Sequence, residues 1–217
     1  MRELSSKASF SVAAAIAITA AVVAIPVAAA GRVAAPGPVR MHYIVAPTGN
    51  EARYRVREVL VGLDFPNDAV GVTKGISGGF VVDTSGKVVE DSSKIIIDVA
   101  QLKSDKDKRD AYIRENTMHT DKFPTVELMP SFIKGVTGKP PTSGTRPVEI
   151  LANLKVLGNL HPITWHGSAT FNGDDVTGTI STAFTFTDMG LVKPTRAILL
   201  TVEDTVKLEY DFHFTKK

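Results

Sequence analysis

The 217-residue chain has no cysteine, a single tryptophan and only 7% aromatic residues. Without cysteine it can form no disulfide, no thiolate nucleophile and no cysteine-ligated zinc site. It also lacks an excess of charge of either sign, because 25 basic residues stand against 23 acidic ones. This balance argues against nucleic acid as a partner, since nucleic-acid-binding proteins usually carry a basic surface.

Catalytic and metal-binding motifs are missing as well. The serines form no Gly-x-Ser-x-Gly elbow, and no glycine-rich phosphate loop is present. His161 and His166 are five residues apart, so on a strand they would point to opposite faces. Asp105, Asp107 and Asp110 are interleaved with basic residues, which favours a solvent-facing helix over a calcium loop. We therefore expect a protein that is not an enzyme and that has neither a metal site nor a cofactor.

Hydrophobic residues are concentrated near the N-terminus. The run Ala8–Gly31 contains 24 uncharged residues, 11 of them alanine, and it follows Arg2 and Lys7. A small-residue cleavage motif closes the run, which predicts a secretory signal peptide over 1–30 and a Pro/Gly/Ala linker over 31–40. The alternative is an uncleaved anchor, which would limit membrane contact to this segment. In both cases we expect export to the periplasm, the cell envelope or the medium.

The remaining chain, 41–217, shows the period-two alternation of β-strands and no second break in composition, which predicts one domain. The clearest strand covers 206–215, where apolar and polar residues alternate throughout. Asn172-Gly173 is a preferred two-residue hairpin turn between two such strands. Other strands are expected over 52–62, 70–83, 94–99, 126–132, 148–156, 163–171 and 176–186.

One segment has a helical pattern instead. Ser104 and Asp107 have the spacing of a capping box, and Asp110 precedes Arg114 by four residues in the favourable order. We expect a short helix over 104–116 that lies over one end of the sheet. About eight antiparallel strands must close or stack to hide their apolar face. The sequence therefore predicts an all-β fold, an eight-stranded antiparallel barrel with one short helix.

The alternation does not settle what fills the interior. An eight-stranded barrel can be packed solid by its side chains, or it can hold one small ligand. Small residues on the inward faces, such as Gly167, Ala169 and Gly178, favour some space inside, although facing aromatic rings could fill it. Both interpretations stay open at this point.

Several short segments, in order and spacing across 43–214, carry a resemblance to a known family. They are Pro66–Gly75, Leu102–Asp105, Arg109–Arg114, Thr120–Pro124, Gly158–Pro162 and Phe186–Leu191. The domain resembles the YceI-like family of lipid- or polyisoprenoid-binding proteins. The resemblance implies a lipocalin-like barrel, an exported location and an elongated apolar cavity for an isoprenoid or other lipid chain. It implies no catalytic residue and no metal.

We therefore expect an exported carrier that holds an isoprenoid or other lipid chain by burial, at about 0.8 kcal/mol per CH₂ group. The residues predicted to line the lumen are Phe80, Ile97, Leu128, Leu154, Trp165, Phe184, Phe186, Tyr210 and Phe212. A packed interior would favour a solid-core exported domain that acts through protein–protein contacts. Convergent polar groups at the cavity floor would favour a lipid-acting barrel enzyme. A homodimer is compatible with each of these functions.

Overall fold

The computed structural model describes residues 38–62, 65–136, 138, 141–195 and 199–217. The predicted signal peptide over 1–30 lies outside the described residues, as does the predicted linker up to residue 37. No helix within the described ranges is long and apolar enough to cross a membrane. Strands dominate the described chain, which confirms the predicted all-β class.

Ten strands of the described chain form one antiparallel sheet. They are β1 (Arg40–Val45), β2 (Glu51–Leu60), β3 (Asn67–Thr73), β4 (Ile76–Asp83), β5 (Lys94–Asp98), β6 (Thr125–Lys134), β7 (Ser143–Val156), β8 (Asn159–Asn172), β9 (Asp175–Thr185) and β10 (Leu199–Lys216). The sequence pattern did not predict β1. It also treated 70–83 as one strand, whereas the chain turns at Lys74-Gly75 and starts β4.

Eight of these strands close into a ring, as the sequence predicted. The order is β1-β4-β5-β6-β7-β8-β9-β10, and the ring closes because the end of β10 pairs with β1 between Val45 and Phe214. The preceding part of β10 pairs with β2 instead, and β3 pairs with β2. The 18-residue β10 thus joins the ring to a two-stranded extension. Closure pairs the strand edges that an open sheet would expose.

The ring turns one face of each strand inward, and the alternation predicted this face correctly. On β10, Val206, Tyr210, Phe212 and Phe214 are buried, while Lys207 between them is exposed. The same inward register holds on β7, β8 and β9, whose buried positions are two or four residues apart. A single core cluster therefore contains residues from every strand of the ring.

The hairpin between β8 and β9 lies one residue later than predicted. Asn172 pairs with Asp175, so the loop consists of Gly173 and Asp174 rather than Asn172 and Gly173. Gly173 has a φ of 61°, in the left-handed region that glycine tolerates best. The prediction of a two-residue turn was correct, but Asn172 belongs to β8 because it pairs with Asp175 of β9.

The helix is shorter than expected. α1 spans Asp107–Tyr112 and continues as one π-helical turn over Ile113–Thr117. Two short 3₁₀ turns, Glu90–Ser92 and Thr187–Met189, are found elsewhere in the described chain. Side chains of α1 face the interior at one end of the ring, where the sequence had placed the helix.

The predicted capping box does not form. Lys106 occupies the N-cap position without a side-chain hydrogen bond, while the hydroxyl of Ser104 donates to Asp110 Oδ1 over 2.6 Å. The predicted ion pair of Asp110 with Arg114 is also wrong for the described residues. Asp110 Oδ2 instead lies 3.8 Å from Lys103 Nζ. Both differences have one cause. The carboxylate of Asp110 is buried and ties the loop before the helix to its first turn.

Candidate ligand-binding site

A large cavity occupies the interior of the ring and its two-stranded extension. It has a volume of about 820 Å³, which lies within the roughly 300–1,000 Å³ of typical small-molecule sites. Its walls come from strands far apart in the chain, together with α1 and the segment after β9. The interior is therefore not packed solid by side chains.

Seven of the nine residues predicted to line the lumen do line this cavity. They are Ile97, Leu128, Leu154, Trp165, Phe184, Phe186 and Tyr210. Strand pairing brings them together: Leu128 on β6 lies opposite Leu154 on β7, and Phe184 on β9 lies opposite Val206 on β10. Correct assignment of the inward face was enough to place them in one wall, because alternate residues of neighbouring strands share a face.

The structure places the other two predicted residues, Phe80 and Phe212, in a second and smaller cavity of about 70 Å³. Phe80 stacks on Tyr43, with ring centroids 5.1 Å apart, and meets Phe214 edge-on at the same distance. These aromatic side chains fill the part of the closed sheet where β1, β4 and β10 meet. Phe80 and Phe212 face inward as predicted, but at a level that the large cavity does not reach.

The large cavity is elongated along the strands. Ala52 and Leu60, eight residues apart on β2, both line it, which corresponds to about 26 Å of strand at about 3.3 Å per residue. Ala52 pairs with Tyr210, and Leu60 pairs with Leu199. The Tyr210 end is the deep end, and we call the Leu60 end the mouth, because Val61 and Leu200, which follow Leu60 and Leu199, are exposed.

The wall formed by β2 and β3 was not predicted from the sequence. Val56 and Ala69 lie opposite each other in this wall, and both are buried against the cavity. A signal was present, because Arg53, Arg55 and Arg57 alternate with less polar residues in β2. This period of two marks an inward face as clearly as the alternation in β10.

An ion pair lies at the mouth of the cavity. Arg109 Nη2 on α1 donates to Glu58 Oε1 on β2 over 2.5 Å, and the two side chains are only 14% and 8% exposed. Arg109 also pairs with Asp105. Burial opposes the charged form of Arg109, but its hydrogen bonds to Asp105 and Glu58 outweigh this and raise its pKa. The pair ties α1 to β2 at the mouth.

Among the uncharged polar groups on the cavity wall, three find no hydrogen-bond partner within the described residues. They are the Tyr54 hydroxyl, the Thr117 hydroxyl and the indole N–H of Trp165. Burial raises the pKa of Tyr54 well above its ordinary value. The Tyr54 ring lies directly over Gly71, where a Cβ atom would come within 2.2 Å of Cε1. Glycine at this position lets the aromatic ring lie flat along the wall.

The deep end is held by a network of buried hydrogen bonds. The Tyr210 hydroxyl donates to Asn50 Oδ1 over 3.0 Å, and the backbone N–H of His213 donates to the same oxygen over 3.0 Å. The amide nitrogen of Asn50 donates to the carbonyl oxygen of Ala46 over 2.9 Å. Burial raises the pKa of Tyr210, so the hydroxyl stays protonated as a donor. The ring of Tyr210 is thus fixed in one position.

The described part of the chain contains no group of three or more histidine, aspartate or glutamate side chains placed to hold a metal ion. His213 instead pairs with Asp175 on the outer surface, with 2.9 Å between Nε2 and Oδ1. The hydrogen bonds from His213 and Thr215 lower the pKa of Asp175. The charged groups of this face serve cross-strand pairing.

The profile of the YceI-like domain matches residues 43–214, a range that includes β2 to β9 completely and most of β10. The chain belongs to the YceI-like family. This confirms the resemblance that the spaced segments of the sequence had indicated. Comparison with curated protein sequences finds no match.

Solved structures of YceI-like and related proteins share the fold. A polyisoprenoid-binding domain from Saccharophagus degradans, implicated in plant cell wall breakdown, superposes with a TM-score of 0.61 at 12% identity, covering 81% of this chain and 98% of its own. BcnA from Burkholderia cenocepacia gives a TM-score of 0.53 at 12% identity, covering 76% and 95%. The YceI protein of Campylobacter jejuni gives 0.53 at 14% identity, covering 68% and 84%.

Proposed function

We propose that this YceI-like protein is a carrier that holds an isoprenoid or other lipid chain in the large cavity. The observation that carries the proposal is the cavity itself, elongated over about 26 Å of strand and walled mainly by aliphatic and aromatic side chains. An extended hydrocarbon chain matches this shape. Its burial contributes about 0.8 kcal/mol per CH₂ group, so partial enclosure is sufficient for useful binding.

The choice of an isoprenoid as the chain rests on a structural neighbour. The domain from Saccharophagus degradans is described as polyisoprenoid-binding, and it aligns over nearly its whole length. The branched methyl groups of an isoprenoid would lie against the aromatic wall of Trp165, Phe184 and Phe186. An unbranched lipid tail would bury similar area, and direct analysis of the bound molecule distinguishes the two.

Binding without catalysis fits the polar groups of the cavity best. Glu58 and Arg109 neutralise each other at the mouth, and Tyr210 is engaged with Asn50 at the deep end. A lipid-acting enzyme would need a carboxylate or histidine poised at the floor, near a buried substrate bond. The floor is formed by the phenol ring of Tyr210 and by Leu128, and the nearby carboxylate of Glu209 is paired with Lys207 and Arg55.

We also propose that the protein is exported. The support is the alanine-rich run that follows Arg2 and Lys7, with a small-residue cleavage motif at its end. Expression in a Gram-negative host, followed by fractionation and intact-mass measurement, tests this. We expect a chain shortened by about 30 residues outside the cytoplasm. Recovery of the full-length chain from the cytoplasm alone would contradict export.

The binding proposal is tested by native mass spectrometry of the detergent-free protein, with identification of any extracted lipid. The informative variant is Phe184→Glu, which puts a carboxylate on the cavity wall. Its matched control is Ala183→Glu, which adds the same charge one residue away on the exposed face of β9. We expect lipid in the wild type and the control, and none in folded Phe184→Glu.

Two results would contradict this proposal in different ways. Lipid retained by a folded Phe184→Glu protein would show that the chain does not lie along this wall. A wild type that neither co-purifies with lipid nor binds added prenyl alcohols would remove the carrier function itself. Circular dichroism of each variant establishes that it is folded before its lipid content is compared.

A further inference from the structure

The large cavity and the small one share a common wall. Leu128 on β6 and Tyr210 on β10 line both cavities, and each is only 3% exposed. We call these two residues the partition. It stands at the deep end of the large cavity, about 26 Å along β2 from the mouth. A chain that enters from the mouth therefore meets the partition last.

Beyond the partition lies a space with the size and character of a hydrocarbon end. The small cavity measures about 70 Å³, and its walls are almost wholly apolar. A water-sized sphere occupies roughly 10–15 Å³, so a space of about 70 Å³ admits about five to seven such spheres. One isoprene unit has five carbon atoms.

The partition is held rigidly from both sides. The Tyr210 ring is fixed by its hydroxyl bond to buried Asn50 and by the neighbouring rings of Phe212 and Phe214, 6.0 and 6.3 Å away. Leu128 lies in the middle of three paired strands, opposite Ile95 on β5 on one side and Leu154 on β7 on the other. Because both side chains are closely packed, they act as a wall rather than as a flexible gate.

We propose that the partition sets the maximum length of isoprenoid chain that the protein holds. The inference rests on the proposed function, since it assumes that an isoprenoid occupies the large cavity with its hydrocarbon end innermost. The polar groups at the mouth favour that orientation. Opening the partition would then add room for about one more isoprene unit.

The experiment measures the affinity of the delipidated wild type for a series of all-trans prenyl alcohols that differ by one unit. Each buried methylene strengthens binding about fourfold, so affinity should rise with length while the chain fills the large cavity. Once the chain end reaches the partition, further units stay outside the cavity and affinity should level off. A wild-type affinity that rises without limit along the series would overturn the inference, whatever any variant does.

The decisive variant is Leu128→Ala, which joins the two cavities. We expect the longest chain that gains affinity to increase by one unit, with at least tenfold tighter binding of that chain. Ile133→Ala is the matched control: it removes a buried aliphatic side chain of the same size from the same strand, but Ile133 lines only the small cavity, so the partition stays closed. This control should keep the wild-type length limit.

Tyr210→Leu opens the partition from the other strand and provides a second test if Leu128→Ala does not fold. An unchanged length limit in a folded partition variant would overturn the inference and leave the carrier function intact. A shift of equal size in Ile133→Ala would also overturn it, because general loosening would then explain the change. Failure of the folded wild type to bind any prenyl alcohol would refute the carrier function, and the inference with it.

Discussion

The ion pair at the cavity mouth allows a quantitative test of how α1 is held. Replacing Arg109 with Met removes the cation from Glu58, whose side chain is 8% exposed, and leaves a buried carboxylate without its partner. Breaking a buried pair in this way costs about 3–5 kcal/mol. Since the pair is at the cavity mouth rather than in the core, we expect a loss of about 3 kcal/mol in the free energy of unfolding.

The measurement is urea unfolding of the delipidated protein, with linear extrapolation to water. Combining Arg109→Met with Glu58→Met replaces the pair with apolar side chains, and this double variant should recover most of the loss. Arg57→Met is the control on the same strand. Its side chain is 52% exposed, and its two ion pairs are both 3.9 Å long, so it should cost less than about 1 kcal/mol.

Either of two results would show that the ion pair does not stabilise the fold in this way. The first is an Arg109→Met protein that is less than about 1 kcal/mol less stable than the wild type, which would mean that water already screens Glu58. The second is a double variant as unstable as the single one. That result would show that Arg109 contributes through the packing of its aliphatic stem and not through its charge.

Three further predictions concern other parts of the domain. Gly71→Ala should destabilise the fold by about 1–3 kcal/mol in urea unfolding, because the new methyl group would lie 2.2 Å from the Tyr54 ring. In a Tyr54→Leu background this loss of stability should largely disappear. Asn50→Ala should cost about 1–3 kcal/mol in the same assay, because the buried Tyr210 hydroxyl loses its acceptor. Lys94 Nζ lies 3.0 Å from Glu127 Oε2 and lowers the pKa of that carboxyl below its usual value of 4.5. Lys94→Met should therefore raise the pKa of Glu127, as measured by NMR titration of the carboxyl groups.

The raised pKa of Glu127 in Lys94→Met also changes how the stability of the fold depends on pH. A carboxyl whose pKa is lower in the folded state stabilises the fold at pH values above its unfolded pKa, and this contribution is lost as the pH falls through the folded value. Lys94→Met should therefore narrow the stability difference between neutral and acidic pH. A Glu127 titration that does not move would contradict this assignment, as would a Gly71→Ala or Asn50→Ala protein of wild-type stability.

Local pattern was sufficient to predict which residues face inward. Trp165, Phe184 and Tyr210 were assigned to one apolar face from period-two alternation, and they line the same cavity. A strand's side-chain direction is set by its own backbone geometry, so the face can be inferred without knowledge of the partner strand. Family membership was also readable, because the matching segments keep their order across 43–214.

Where tertiary contacts compete with local signals, the pattern was less reliable. Ser104 and Asp107 have the spacing of a capping box, yet the Ser104 hydroxyl donates to Asp110 because that carboxylate is buried beside it. The first strand, Arg40–Val45, is short and follows a linker-like segment, so its sequence alone gave little indication of pairing. It forms because the ends of β4 and β10 offer it two partners.

The inward faces, the hairpin turn chemistry and the position of a short helix depend on neighbours a few residues apart, and the order of residues was enough to predict them. The volume inside the ring depends on side chains from strands that are far apart in the chain, and no local pattern measures what is left between them. Only the folded structure separates a cavity of about 820 Å³ from one of about 70 Å³, and places Leu128 and Tyr210 between them. Alternation determines which way each side chain points, whereas closure of the sheet determines how much space remains inside it.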